Sequence, residues 1–154
     1  MLLLRPIHGQ PSRYSGSVEA ITYRSDKDFD VEAWLRHYHA CDWNRYWTAH
    51  NLEASLSHAY LVVTAWRGDD MIGTLTVLSD GLNYATIDDL VVRPQWRRQG
   101  IGSKLMQIAL SNLKHIDPDL IRLHSIPGVE PFYKQLGFSR LNETPLHFDG
   151  PPQQ

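Results

Sequence analysis

The chain has 154 residues, 42% hydrophobic and 21% charged, with a formal net charge of -2; this balance fits one soluble domain with a sizeable core and argues against a general nucleic-acid binder. No apolar run approaches the roughly 20 residues of a membrane span, and the opening MLLLR is too short for a signal-peptide core. The single cysteine, Cys41, rules out an internal disulfide and points to a reducing, cytoplasmic setting, and neither a membrane nor a nucleic acid is expected as partner.

Residues 1–17, rich in Pro, Gly and Ser and without periodicity, predict a tail or arm ahead of a single domain over 18–154. VEAITYR (18–24) alternates as a strand does. Asp28 or Asp30 then caps a helix through VEAWLRHYHA, and a second helix follows over 48–58, with Leu52 and Leu56 on one face. AYLVVTAW (59–66), MIGTLTVLS (71–79) and YATIDDLVV (84–92) are β-rich runs separated by RGDD and DGLN, which predicts an antiparallel meander. Pro94 cannot donate to a ladder and ends the last of them. A helix over about 102–115, a strand LIRLHSI (120–126), a short helix VEPFYKQL (129–136) closed by Gly137, and a hairpin from FSRL and PLHF complete the chain.

The stretch VVRPQWRRQGIGSKLM (91–106) sets three arginines beside Gly100 and Gly102 where a strand gives way to a helix. The first helical N–H groups lack intrahelical partners and the helix dipole adds positive charge, so this is an anion site in form. Glycines there let phosphate oxygens approach the backbone. Charge is also uneven along the chain: residues 1–90 carry 7 Lys/Arg against 12 Asp/Glu, and residues 91–154 carry 8 against 5. One half suits a cation, the other an anion. Neither a dinucleotide fingerprint nor a P-loop fits, because Leu105 stands where a third glycine is needed and Gly-Lys-Ser/Thr is absent.

Arg97-x-x-Gly100-x-Gly102, followed at distance by PFYKQLGF (131–138), resembles the pyrophosphate-binding motif and the later tyrosine segment of the GNAT superfamily of acyl-CoA-dependent N-acetyltransferases. The resemblance covers about residues 18–148, and LSDGLNYATIDDLVVRP looks like a bacterial and chloroplast-type branch of small GNAT enzymes. It implies an α/β (α+β) GNAT-like fold, a mixed and mostly antiparallel sheet flanked by helices. It implies acetyl-CoA as co-substrate with no metal, its pyrophosphate held by Arg97, Arg98, Gln99, Gly100, Ile101, Gly102 and Ser103, and its pantetheine arm added along the strand edge at Leu90, Val91 and Val92.

The same resemblance makes Tyr133 a cofactor contact and the acid that protonates the leaving thiolate, a task within reach of a phenol. An acidic residue at the Asp88 position serves some members as general base; Asp88 and Asp89, adjacent on a strand, point to opposite faces, Asp89 with Ile87 and Val91. A weak base of this kind needs desolvation or a water relay. Where many members have an asparagine after the fifth strand this chain has Ile126, and His124 is the substitute proton acceptor or a satisfied strand-end histidine. His37 and His39 point apart on one helix, against a metal pair. Cys41 is read as a small core residue, Asp80 as the shaper of its turn, and Trp34, Trp43 and Trp47 as helix-packing residues, some of which face the acceptor. The expected activity is acetyl transfer to a primary amine of a small molecule or peptide by direct attack in a ternary complex. The alternatives are a non-catalytic acyl-CoA-binding or sensing module and, more remotely, a nucleic-acid binder using the 93–104 patch. A homodimer is left open.

Overall fold

A computed structural model describes residues 19–43 and 46–146; the arm expected over 1–17 lies outside them. Five strands form one sheet in chain order: β1 (Ile21–Arg24), β2 (Leu61–Arg67), β3 (Asp70–Ser79), β4 (Ala85–Val92) and β5 (Ile121–Leu123). The first three pairings are antiparallel and β4–β5 is parallel, so the sheet is mixed. The parallel pair requires a crossover, which α3 (Ile101–Asn112) supplies.

Helices α1 (Val31–Ala40) and α2 (Ala49–His58) cover one face of the sheet and α3 the other. Asp30 caps α1 by accepting from Ala33 N at 3.0 Å. Thr48 and Asn51 form a reciprocal capping box at the start of α2. Trp34, Tyr38, Leu52 and Leu56 are buried with Val62, Trp66, Met71 and Val91 on the α1/α2 face. On the other, Ile101, Leu105, Met106 and Ala109 of α3 pack on Val63, Leu75, Val77, Ala85 and Ile87. Gly73 permits this contact: a Cβ there would stand 3.2 Å from both Ile101 Cγ2 and Leu105 Cδ1.

Two sequence expectations are corrected. The strand expected over 120–126 is only Ile121–Leu123, with Pro127-Gly128 ending any ladder soon after. The closing hairpin does not form among the described residues: Phe138–Leu146 contain no strand. Instead Glu143 of that segment reaches Arg122 of β5, with Arg122 Nη1 donating to Glu143 Oε2 at 2.9 Å. Pro145 has no N–H to offer a ladder, and His147 and Phe148 lie outside the described residues.

Candidate active site

The site is made by a shortfall in pairing. β4 pairs with β5 only through Ala85, Ile87 and the residue between them, while β4 runs on to Val92. Its last residues, Asp88 to Val92, have β3 on one side and no strand on the other among the described residues. Edge amides and carbonyls on that side, apart from the Val92 carbonyl that Arg97 takes, have no strand partner and suit an extended ligand.

Directly after this edge the chain turns through Pro94–Trp96 into α3. Arg98 and Gly100 both take left-handed φ, 63° and 78°. Gly100 is the N-cap of α3, no side chain caps the helix, and a Cβ on Gly100 would meet nothing within 4 Å. The N–H groups of the first turn are therefore available, in open space, at the positive end of a 12-residue helix. This is a cradle that fits a diphosphate. Two of the three arginines also hold protein: Arg93 forms a two-contact ion pair with Asp70 at 2.8 and 3.0 Å, and Arg97 Nε donates to the Val92 carbonyl at 3.0 Å. Arg93 thus pins the end of β4 to the start of β3, and Arg97 folds the loop against the β4 edge. Gln99 donates to the Gln95 carbonyl at 3.2 Å and tightens the same turn.

Helix α4 (Glu130–Gln135) joins this loop to the acids of β4. The Phe132 ring lies 3.4 Å from where a Gly102 Cβ would stand, so α4 packs directly on the start of α3. The next residue, Tyr133, packs edge-on against Phe132 and Phe138 and is close enough to Asp88 to feel its charge. Burial first, and Asp88 second, raise the Tyr133 phenol above its ordinary value. A phenol so placed stays protonated and serves as a donor.

The two aspartates do not simply alternate. Thr74 pairs with Val91 and Thr76 with Asp88, so β4 has an extra residue opposite β3, and Asp89 sits at φ 47°. This bulge exchanges the faces of β4: Ile87 is buried against α3, whereas Val91 is buried against α1 and α2. The expectation that Asp89 shares a face with both is corrected by this. Asp88 is exposed and accepts from Asp89 N at 3.0 Å. Asp89 turns inward toward Tyr38, Trp43 and Thr76; burial, and then the Asp88 charge, raise its carboxyl, with those three donors acting in the opposite sense. Tyr38 Oη is buried beside Asp89 and Thr74 without a well-aligned hydrogen bond to either, and burial, then the Asp89 charge, pushes its phenol far up.

Asp89 lines a pocket of about 370 Å³ whose other described walls are Asp42, Trp43, Tyr46 and Trp47. Asp42 and Tyr46 were not singled out for this from the sequence. The available signal was the density of aromatics between α1 and α2; of the three tryptophans noted there, Trp34 is core at 1% exposure and Trp43 stands 43% exposed at the pocket.

His124, by contrast, is exposed beyond the end of β5, away from the ordered pairing. His37 is buried with neither ring nitrogen hydrogen-bonded, and its pKa falls to about 4 through burial, then the Arg93 charge, so it is neutral near pH 7. Burial raises the Cys41 thiol despite Arg97 and Arg93, which keeps it protonated. Asp80 accepts from the amides of Leu82, Asn83 and Tyr84 at 2.8–3.1 Å and shapes its turn. Among the described residues no group of three His, Cys, Asp or Glu is arranged to hold a metal, and no helix is long and apolar enough to cross a membrane.

Residues 27–152 match the family model of the GNAT acetyltransferase domain. A GNAT-family acetyltransferase from Streptococcus pneumoniae superposes with a TM-score of 0.74 at 31% identity, over 85% of this chain and 98% of that one. An uncharacterized N-acetyltransferase, ycf52, of Gracilaria tenuistipitata var. liui is 40% identical over 44% of this chain and 37% of its own length. The histone acetyltransferase TAP1 of Glycine max is 29% identical over 80% of this chain and 58% of its own. The chain spans about half the length of the curated relatives it matches.

Proposed function

We propose, from the premise that this chain belongs to the GNAT acetyltransferase family, that it transfers the acetyl group of acetyl-CoA to a primary amine by direct attack in a ternary complex. The observation that carries this reading is the open end of β4, flanked by an uncapped, glycine-opened helix start on one side and by an acid-lined pocket on the other. Tyr133 stands close enough to Asp88 to feel its charge.

When bound, acetyl-CoA brings an acetyl thioester already activated toward amines. The first-turn amides of α3 and the turn at Arg98 to Gly100 hold its diphosphate, and the edge of β4 at Leu90 to Val92 aligns its arm. Asp89 takes the proton that a bound ammonium must lose before its nitrogen can attack. This moves the proton acceptor from Asp88 to its neighbour, because Asp89 faces the pocket and is desolvated, whereas Asp88 is exposed and occupied in holding the bulge. The carbon–nitrogen bond forms as the carbon–sulfur bond breaks, Tyr133 gives its proton to the sulfur, and the second nitrogen proton restores the phenol through solvent.

Gly100→Glu tests the co-substrate site. Its carboxylate enters the open space at the helix start and repels phosphate. Calorimetry should show acetyl-CoA binding lost in this variant while the wild type binds; near-equal affinity in the two would remove the loop from the site.

A further inference from the structure

Arg67 ends β2, and its guanidinium carbon lies 4.8 Å from the centre of the Trp96 ring. Both residues are half-buried, so this cation–π contact is partly shielded from water. Trp96 closes the short turn after β4, and its indole packs against the core that α3 covers. Its N–H donates to the Arg93 carbonyl at 2.9 Å, and the Arg93 side chain in turn holds Asp70. Arg67 and Asp70 face each other across the β2–β3 hairpin, which therefore grips the segment 93–96 at two points. Directly beyond that segment Arg98 takes φ 63° without being glycine, a conformation that persists only where its surroundings over-determine it. Side chains supply that constraint: Arg97 on the Val92 carbonyl, Gln99 on the Gln95 carbonyl, and Trp96 under Arg67.

Resting on the acetyl-transfer reading above, we propose that Arg67 is a positioning residue for acetyl-CoA. Through Trp96 it fixes the turn that carries Arg98 to Gly100, and so aims the first-turn amides of α3 at the diphosphate. What this requires is a cation held against the indole, not simply positive charge on the molecule. The same contact occurs on the opposite face of the sheet, where Arg24 lies 4.5 Å over Trp66 among the residues that α1 and α2 cover. That second pair carries the same charge and touches no part of the loop, which makes it the control.

Calorimetry of acetyl-CoA binding to the full chain, beside a thermal melt of each variant, reads this directly. Arg67→Ala should raise the dissociation constant by about threefold, the scale of a partly exposed cation–π contact. In steady state KM for acetyl-CoA should rise by the same factor, with kcat and the KM of the amine unchanged. Arg67→Lys, which keeps a cation over the ring, should recover part of the loss, and Arg24→Ala should bind as the wild type does. In a Trp96→Leu background Arg67→Ala should add less than about 1.5-fold, because the two residues act as one unit. Unchanged affinity in Arg67→Ala, even with a lowered melting temperature, would overturn the assignment. So would an equal loss in Arg24→Ala or full additivity with Trp96→Leu. The expected loss of binding, without thiol release from any amine, supports the positioning and contradicts acetyl transfer. Thiol release with wild-type affinity in Arg67→Ala contradicts the positioning and leaves acetyl transfer standing. A wild-type chain that binds no acetyl-CoA would overturn both.

Discussion

Burial raises both the Tyr133 phenol and the Asp89 carboxyl, and Asp88 pushes each further in the same direction. For Tyr133 the consequence is a phenol that keeps its proton, as the proposed role of acid to the leaving sulfur requires. Tyr133→Phe keeps the ring between Phe132 and Phe138 and removes only that proton, so kcat and kcat/KM should fall together by about 10²-fold with acetyl-CoA affinity retained. Unchanged turnover would take Tyr133 out of the reaction. For Asp89 the raised value has a cost in stability. The folded state holds this proton to higher pH than the unfolded chain does, so stability falls as pH rises from the ordinary carboxylate range through the raised value. Asp89→Asn should therefore raise the melting temperature at pH 7, by a margin that disappears in acid, while turnover drops by about 10²-fold or more. Asp88→Asn should affect turnover less, and the reverse ranking would return the proton acceptor to Asp88. The sequence displayed both aspartates, Tyr133 and the two loop glycines. It did not display which aspartate turns inward, because that depends on a bulge set by the register of β4 against β3.

Among the elements, α3 carries the most at once: it is the crossover, one wall of the core and the floor of the diphosphate cradle. Its approach to the sheet depends on the missing side chain at Gly73. Gly73→Val should drive Ile101 and Leu105 outward, costing roughly 1–3 kcal/mol of stability as overpacking does. Because Ile101 is in the first turn of α3, acetyl-CoA affinity should fall in the same variant, measurable by calorimetry beside a thermal melt. Gly102→Ala, with 3.4 Å to the Phe132 ring, should be tolerated by the fold, and a variant pair with the opposite ranking would contradict this packing. Helices α1, α2 and α3 and the meander were readable from caps, turn residues and periodicity, since each is fixed locally. β5 and the segment after α4 were not. Their length depends on where β4 parts from β5 and on the Arg122–Glu143 ion pair, which joins residues far apart in sequence.

Taken whole, the molecule keeps the charge asymmetry of its sequence, though in a different form from a simple basic loop. Arg93 is paired with Asp70 and Arg97 Nε donates to the Val92 carbonyl, so the proposed anion site draws on backbone amides and the α3 dipole as well as on side chains. The acidic half contributes Asp42, Asp88 and Asp89, which gather where α1, the following loop and β4 meet. In the proposed reaction the loop before α3 holds the acyl donor and the acid-lined pocket holds the amine. The most direct measurement of that arrangement uses acetyl-CoA labelled with ¹³C in the acetyl group, the purified chain and a pool of primary amines. Mass spectrometry should find the label in an N-acetyl product, in step with free thiol and dependent on Tyr133. Acetyl-CoA bound tightly, with neither thiol nor labelled amide formed from any amine of the pool, would contradict acetyl transfer and leave an acyl-CoA-binding module.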